Sequence, residues 1–257
     1  MNSDTKKILI SGASSGIGRA LAIEYGRRGA DVILLARNEE QLNVTKQMLE
    51  RKGGRGFVKV CDVTGWEYMN SAVEFAVNTL GGIDIAILNA GISGSQNIDG
   101  MDIEKFRQLF EVNFFGIVNG FNTILPIMKK QGNGKIVGIG SLADFRGVPG
   151  VSAYNSSKAA LSNFLESARI ELKQFGIQVI TVKPGFVKSS ITEKNEFYMP
   201  MLMEADKAAI IIVDGIEKNK SSIKFPMPIV FSTFLGKIAP APIFDCLVKR
   251  YRIRKKQ

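Results

Sequence analysis

Between residues 7 and 183 the chain alternates short apolar runs with longer amphipathic stretches, and few architectures accept that order. The runs Lys7–Ser11, Val32–Ala36, Gly56–Cys61, Ile83–Leu88, Lys135–Gly140 and Gln178–Lys183 are rich in Ile and Val. Gly, Asp or Asn bounds them, as expected of strands buried in a parallel sheet. Helical periodicity marks Gly16–Arg28, Glu39–Lys52, Trp66–Leu80, Ile103–Lys130 and Ala153–Phe175. The pattern predicts a doubly wound α/β sheet, mostly or wholly parallel, of about seven strands with helices on both faces. No linker-like segment or repeat interrupts it. One domain is expected over residues 1–230, followed by an apolar and basic extension at 231–257.

The residue inventory removes whole classes of chemistry. The chain has no His, which excludes Ser-His-Asp, Cys-His and His-ligated metal mechanisms. Cys61 and Cys246 are too few for a disulfide framework or a Cys-based zinc site, so no metal is expected. The net charge is +10, of which Lys249, Arg250, Arg252, Arg254, Lys255 and Lys256 supply six, leaving +4. No basic face or motif nominates a nucleic-acid partner. The first residues lack a signal peptide's apolar stretch, and no apolar run approaches the ~18 residues needed to span a bilayer. The expectation is a cytoplasmic protein.

Chemistry begins after the first strand, at Ser11-Gly12-Ala13-Ser14-Ser15-Gly16-Ile17-Gly18. Glycines between a strand and a helix let backbone approach a pyrophosphate, whose charge the helix N-terminus favours. Steric loop chemistry alone also collects glycines. After the second strand stands Arg37, where an acid would hold a ribose 2′-hydroxyl. A guanidinium suits a 2′-phosphate instead, which favours NADP over NAD. A solvated surface arginine would read the same way.

Two tyrosines precede a lysine by four residues, Tyr154–Lys158 and Tyr251–Lys255. Only the first lies in a strong helical pattern, where i and i+4 share a face. A neighbouring ammonium stabilises phenolate, so Lys158 is expected to lower the Tyr154 pKa from about 10. Ser141 ends a strand 13 residues earlier, where a hydroxyl can donate to a carbonyl oxygen. A strand-terminating serine is the plain alternative.

With these residues in view the sequence resembles the short-chain dehydrogenase/reductase family, in its common single-domain form, over roughly residues 6–190. The resemblance rests on Gly12, Gly16 and Gly18, then Cys61-Asp62-Val63, Asn89-Ala90-Gly91, Asn113-Phe114-Phe115-Gly116, Ser141, Tyr154, Lys158 and Pro184-Gly185, all in family order. It implies a Rossmann-type sheet. It implies Tyr154 as general acid and base, Lys158 on the nicotinamide ribose, Ser141 on the carbonyl, and Asn113 holding a relay water. Asp62 and Val63 would contact adenine, while Asn89 and Gly91 shape the cleft. The implied cofactor contacts extend to Ser14, Ser15, Ile17, Ala90, Pro184, Gly185, Val187 and Ser189. A buried asparagine bonded to helix backbone, and ordinary turn chemistry, are the competing readings of these polar residues.

Some positions depart from the family pattern. Ser11 and Ser189 stand where threonine is usual, and Leu88 where a second asparagine is frequent. Phe225-Pro226-Met227-Pro228 replaces the closing Asp-Gly-Gly.

Phe186, Phe197, Tyr198, Met199, Met201, Leu202 and Met203 follow Pro184-Gly185 and read as an apolar lid or as ordinary packing. The extension's prolines argue against one long helix. Its three readings are a subunit contact, a cap on the cleft, or an element on an anionic membrane surface. The expected protein is an NADP(H)-dependent oxidoreductase interconverting a ketone or other carbonyl and a secondary alcohol. The expected substrate is a small apolar or lipid-like molecule, and the expected assembly a homo-oligomer, dimer or tetramer. The alternative is a non-catalytic nucleotide-binding scaffold or sensor on the same fold.

Overall fold

The computed structural model describes residues 5–189, 192 and 199–253. Each predicted strand forms, β1 with its predicted ends and the others with ends moved by at most two residues: β1 Lys7–Ser11, β2 Asp31–Ala36, β3 Arg55–Val60, β4 Ile85–Leu88, β5 Gly134–Ile139 and β6 Ile177–Pro184. A seventh, β7 Ser222–Phe225, completes a sheet of order β3-β2-β1-β4-β5-β6-β7 in which every neighbour runs parallel. β7 is not among the predicted strands because it is four residues long, with Ser222 and Lys224 exposed and only Ile223 and Phe225 buried.

Period-two alternation is hidden inside the apolar runs. Ile8, Ile10, Val32, Leu34, Ile85 and Ile87 enter one core, whereas Leu9, Ile33, Leu35, Ala86 and Leu88 enter the other. Helices α1 Gly16–Arg27 and α2 Glu39–Glu50 cover the first face, joined by a helix at Ala205–Glu217. On the second face lie α3 Trp66–Leu80, and helices at Gly116–Gln131 and Ser152–Leu172. Each Ile, Leu or Val so buried contributes roughly 1.5–3 kcal/mol, which is why both faces must be covered.

The expected helix Ile103–Lys130 is three pieces: α4 Ile103–Phe110, a π-helical turn Glu111–Phe115, and α5 Gly116–Gln131. The fifth predicted helix is α6 Ser152–Leu172, ending in a 3₁₀ turn Lys173–Phe175. Three further helices are α7 Ala205–Glu217, α8 Met227–Ile238 and α9 Ala241–Ile253. Proline divides the last two as its chemistry requires: Pro226 and Pro228 open α8, and Pro240 and Pro242 bracket the start of α9. Residue 231 falls inside α8, so α8 joins the sheet-bearing body to the extension without a break.

The chain leaves β1 toward β2 and β3, then returns across β1 to form β4. At that reversal the connections leaving the C-terminal ends of β1 and β4 part to opposite faces of the sheet, toward α1 on one and α5 on the other, which opens a crevice for a ligand.

Candidate active site

A cleft of about 530 Å³ opens at this crevice. Its floor begins with the glycine turn. Gly12 and Gly16 have φ of +67° and +53°, left-handed values that L side chains rarely adopt. Gly18 lies on α1 outside the lining, and a Cβ there would stand 2.1 Å from the Gly12 carbonyl oxygen. It permits α1 to press against the turn. Gly18→Ala is therefore expected to cost about 1–3 kcal/mol as an overpacked contact. Thermal melting and nucleotide titration check this, and a variant with wild-type melting would disprove the contact's role.

Ser15 is the N-cap of α1 and makes no side-chain cap, so the helix's first N–H groups face the cleft without a local partner from it. Ser14, Ser15, Gly16 and Ile17 line the cleft there. Glycines held open and an uncapped helix N-terminus fit a dinucleotide's pyrophosphate. Arg19 braces the turn from behind: its guanidinium donates to Ser14 O and to Gln41 Oε1, and its Nε to Thr45 Oγ1. Nothing local in the chain marks Arg19, because its partners come from α2 as well as from the turn.

The Ser11 hydroxyl makes no contact toward the cleft. The side chain is buried, and its oxygen accepts the N–H groups of Asn89 and Ala90 at 3.0 and 3.1 Å. Asn89 Nδ2 returns hydrogen bonds to Ser11 O and Gly12 O. The hydroxyl thus ties β1 to β4 rather than reaching toward a ligand. Ala90 and Gly91 continue the wall.

On the other side Arg37 and Asp62 line the rim, their nearest charged atoms 3.9 Å apart, with the arginine side chain 69% exposed. Asp62 Oδ1 is occupied by the Thr64 N–H and hydroxyl, while Asn119 Nδ2 donates to Val63 O and Thr64 O. Val63 lines the same wall. Asn38, also lining, caps α2 by accepting the Gln41 N–H at 2.9 Å.

Ser141, Tyr154 and Lys158 converge at the far end of the cleft. Ser141 follows β5 and caps a 3₁₀ turn, Leu142–Phe145, its Oγ accepting the Ala143 N–H. Lys158 is buried and donates to the Ile139 carbonyl at 2.9 Å. Its Nζ lies 6.0 Å from the centre of the Tyr154 ring.

The expected depression of the Tyr154 pKa is not found. Burial pushes the phenol above its ordinary value; the hydrogen-bonded Ser141 hydroxyl pulls it down, and the Asp144 carboxylate adds to the rise. Burial also draws the Lys158 ammonium down to about 8, with Asp144 acting in the opposite direction. A cation that is itself costly to bury, and bonded to a carbonyl, does not override the phenol's own desolvation.

Asn113 does not line the cleft. It is fully buried in the π turn, with Oδ1 accepting the Ile92 N–H and Nδ2 donating to Ile92 O and Ser157 Oγ. Its amide stands behind Gly91, where an added Cβ would lie 3.2 Å from Asn113 Oδ1 and 3.6 Å from Lys158 Nζ.

A polar cluster beneath Ser141 is also missing from the sequence expectations. Asp144 pairs with Lys183 at 2.6 Å and accepts the Ser162 hydroxyl, linking the turn after β5, the helix α6 and the end of β6. An acid and a base in otherwise apolar surroundings are the only signal of it in the chain.

Pro184, Gly185, Val187, Ser189 and Thr192 close the cleft. Ser189 approaches Gly16, where a Cβ would meet Ser189 Cβ at 2.9 Å. Of the expected apolar lid, Phe197 and Tyr198 lie outside the described residues. Phe186, Met199, Met201, Leu202 and Met203 are not part of the described lining, and Met203 instead pairs its backbone with Phe186 and Lys188. The segment is as apolar as a lid requires, but packing directs Met203 to the core.

Residues 6–213 match the family model for short chain dehydrogenases. An uncharacterized oxidoreductase of Myxococcus xanthus is 36% identical over 244 residues, covering 95% of this chain and 96% of that protein. An 11-beta-hydroxysteroid dehydrogenase-like 4A protein of Arabidopsis thaliana is 33% identical, over 91% of this chain and 81% of its own. Among solved structures, a short chain dehydrogenase/reductase of Burkholderia phymatum in complex with NAD superposes with a TM-score of 0.83. It shares 22% identity and covers 91% of this chain and 94% of its own. That likeness is one of fold.

Proposed function

This chain belongs to the short-chain dehydrogenase family of nicotinamide-dependent oxidoreductases, and from that premise we propose that it is an NADPH-dependent carbonyl reductase acting on an apolar ketone. The observation that carries the chemistry is the meeting of Ser141, Tyr154 and Lys158 at one end of a cleft whose other end is a glycine turn. A bound nicotinamide would supply the hydride for reduction.

The chain's own residues manage the oxygen. Ser141 donates to the carbonyl oxygen and polarises it. Tyr154, protonated at neutral pH because burial favours the neutral phenol, delivers a proton to that oxygen as charge develops. Lys158, mostly protonated at neutral pH with its pKa drawn down to about 8, would bind a ribose hydroxyl and stabilises the phenolate left behind. Asn113 fixes Ile92 and the back of Gly91, and a relay through it would reprotonate the site. In the oxidative direction Tyr154 acts as base.

Gly12, Gly16 and the free end of α1 would hold the pyrophosphate, with Gly18 allowing the close approach. Asp62 and Val63 would meet the adenine. Pro184, Gly185, Val187 and Ser189 would flank the nicotinamide. The apolar substrate is supported by Ile92, Val112 and Val187 in the lining, and by the hydroxysteroid name carried by the Arabidopsis relative.

Preference for NADPH rests on Arg37, exposed at the rim where a 2′-phosphate would lie. The Burkholderia structure holds NAD, and the two chains share only their fold at this level of identity. Arg37→Asp removes a charge-assisted contact worth roughly 1.5–3 kcal/mol, which is on the order of ten- to a hundredfold in NADPH affinity. Fluorescence titration with both nucleotides measures it. A wild-type protein preferring NADH by about tenfold would overturn the preference.

The assignment itself is tested by NADPH oxidation in the presence of hydrophobic ketones, steroids, retinoids and long-chain acyl ketones. Tight NADPH binding with no oxidation by any of them would favour the scaffold or sensor reading.

A further inference from the structure

Helix α8 has its amphipathicity inverted. Met227, Phe231, Phe234 and Ile238 follow the i, i+4, i+7, i+11 spacing that places residues on one face, with Leu235 beside them. In most helices of globular proteins that face is turned toward the core. Here Met227 is 68% exposed, Phe231 63%, Phe234 57%, Ile238 63% and Leu235 46%. The inner side is the more modest one, formed by Ile229, Val230, Thr233 and Gly236.

That inner side is held firmly. A Cβ at Gly236 would stand 2.7 Å from the Phe145 ring. Arg146 donates to the carbonyls of Gly236 and Ala239 at 3.1 and 2.7 Å. Phe145 meets Phe244 of α9 edge-on at 6.1 Å, and the Arg146 guanidinium lies 4.1 Å from the Phe244 ring centre. The apolar face is therefore a fixed surface, joined through Phe145 to the turn that begins at Ser141. Contiguous exposed apolar area of this kind marks an interaction site.

Charge selects the occupant. Residues 218–257 contain ten Lys and Arg against the single acid Asp245, so they hold +9 of the chain's +10. Residues 1–217 are close to neutral. A second copy seated on this face would bring the same excess of positive charge with it. An anionic lipid leaflet would neutralise it and accept the aromatic side chains together. None of the helices among the described residues is long and apolar enough to cross a membrane.

We propose that the outward face of α8, with the basic segment after it, docks this protein on the surface of an anionic bilayer. The helix lies along the interface rather than crossing it, and the cleft end bearing Ser141 is thereby held beside the lipid. The inference does not depend on the reductase assignment, because docking requires no turnover.

The test is sedimentation of the full-length protein with two vesicle types, phosphatidylcholine alone and phosphatidylcholine mixed with phosphatidylglycerol, at low and high salt. Sedimentation velocity without lipid runs in parallel. The wild-type protein is expected to bind the anionic vesicles, to release as salt rises, and to ignore the neutral ones. Phe231→Gln with Phe234→Gln is expected to weaken that binding by about tenfold or more, since both rings are outward and insert together. Its melting temperature and NADPH affinity should match wild type, which shows that the fold is intact. Wild-type protein that ignores both vesicle types overturns the proposal. So does binding that the double variant retains in full, because charge alone would then explain it. A wild-type dimer that the double variant converts to monomer, with no vesicle binding by either, would assign the face to a second copy.

Discussion

Tyr154→Phe is expected to lose carbonyl reduction by about 10²–10⁴-fold, the usual contribution of a positioned general acid. The ring remains to fill its place in the cleft, so NADPH affinity should stay close to wild type. Stopped-flow and steady-state oxidation of NADPH, set beside fluorescence titration, separate the two quantities. Loss of kcat with nucleotide binding retained follows if the phenol delivers the proton. Retention of near-wild-type reduction would remove Tyr154 from the mechanism and with it the proposed activity. The pH dependence carries a further sign. Because burial raises the phenol's pKa, the proton-bearing form persists through neutral pH, and reduction should not decline until pH climbs well above it. Oxidation of an alcohol should instead improve as pH rises.

Lys158→Met should remove activity and stabilise the protein at the same time. Burial pulls the ammonium from 10.5 down to about 8, so the folded state gives up its proton more readily than the unfolded chain. Below pH 8 the folded protein carries the full cost of a buried charge. Between about 8 and 10.5 the unfolded state binds more protons than the folded one, and the wild-type protein gains stability as pH rises. The shift limits the cost to about 3 kcal/mol, and the lost Nζ bond to Ile139 subtracts from the gain. The variant's advantage is thus expected at pH 7 and should shrink through the same window. Urea unfolding of both proteins without nucleotide, at pH 7 and pH 9, measures it. A variant less stable than wild type at pH 7 would show that Lys158 is an asset to the fold. Turnover should fall regardless, since the same ammonium serves the ribose and the phenolate.

The features legible in the amino-acid order are local ones. Six strands follow from runs of Ile and Val, because a parallel strand buried on both faces has no polar side to confuse the pattern. Gly12 and Gly16 are legible because left-handed backbone leaves few other choices, and Tyr154–Lys158 because four residues on a helix are one turn. β7 is not, since an edge strand of four residues carries only two buried side chains. The segment after Pro184-Gly185 leaves a lid and ordinary packing equally open in the sequence, since Met203 is as apolar as a lining residue should be, and the fold packs it against the core.

By itself, then, the sequence determined the alternation, the glycine turn and the order of Ser141, Tyr154 and Lys158, each of which is written in local patterns and their order along the chain. The tertiary structure alone decided that Ser11 ties β1 to β4, that Arg19 braces Ser14, and that Asp144 pairs with Lys183 under the cleft. It also decided that the phenol's pKa rises when adjacency to a lysine argues for a fall. The same periodicity that buries Leu21 on α1 leaves Phe231 in water on α8. Spacing fixes which side chains share a face. Which face meets the core, and what burial then does to a charge, depends on elements brought together from distant parts of the chain.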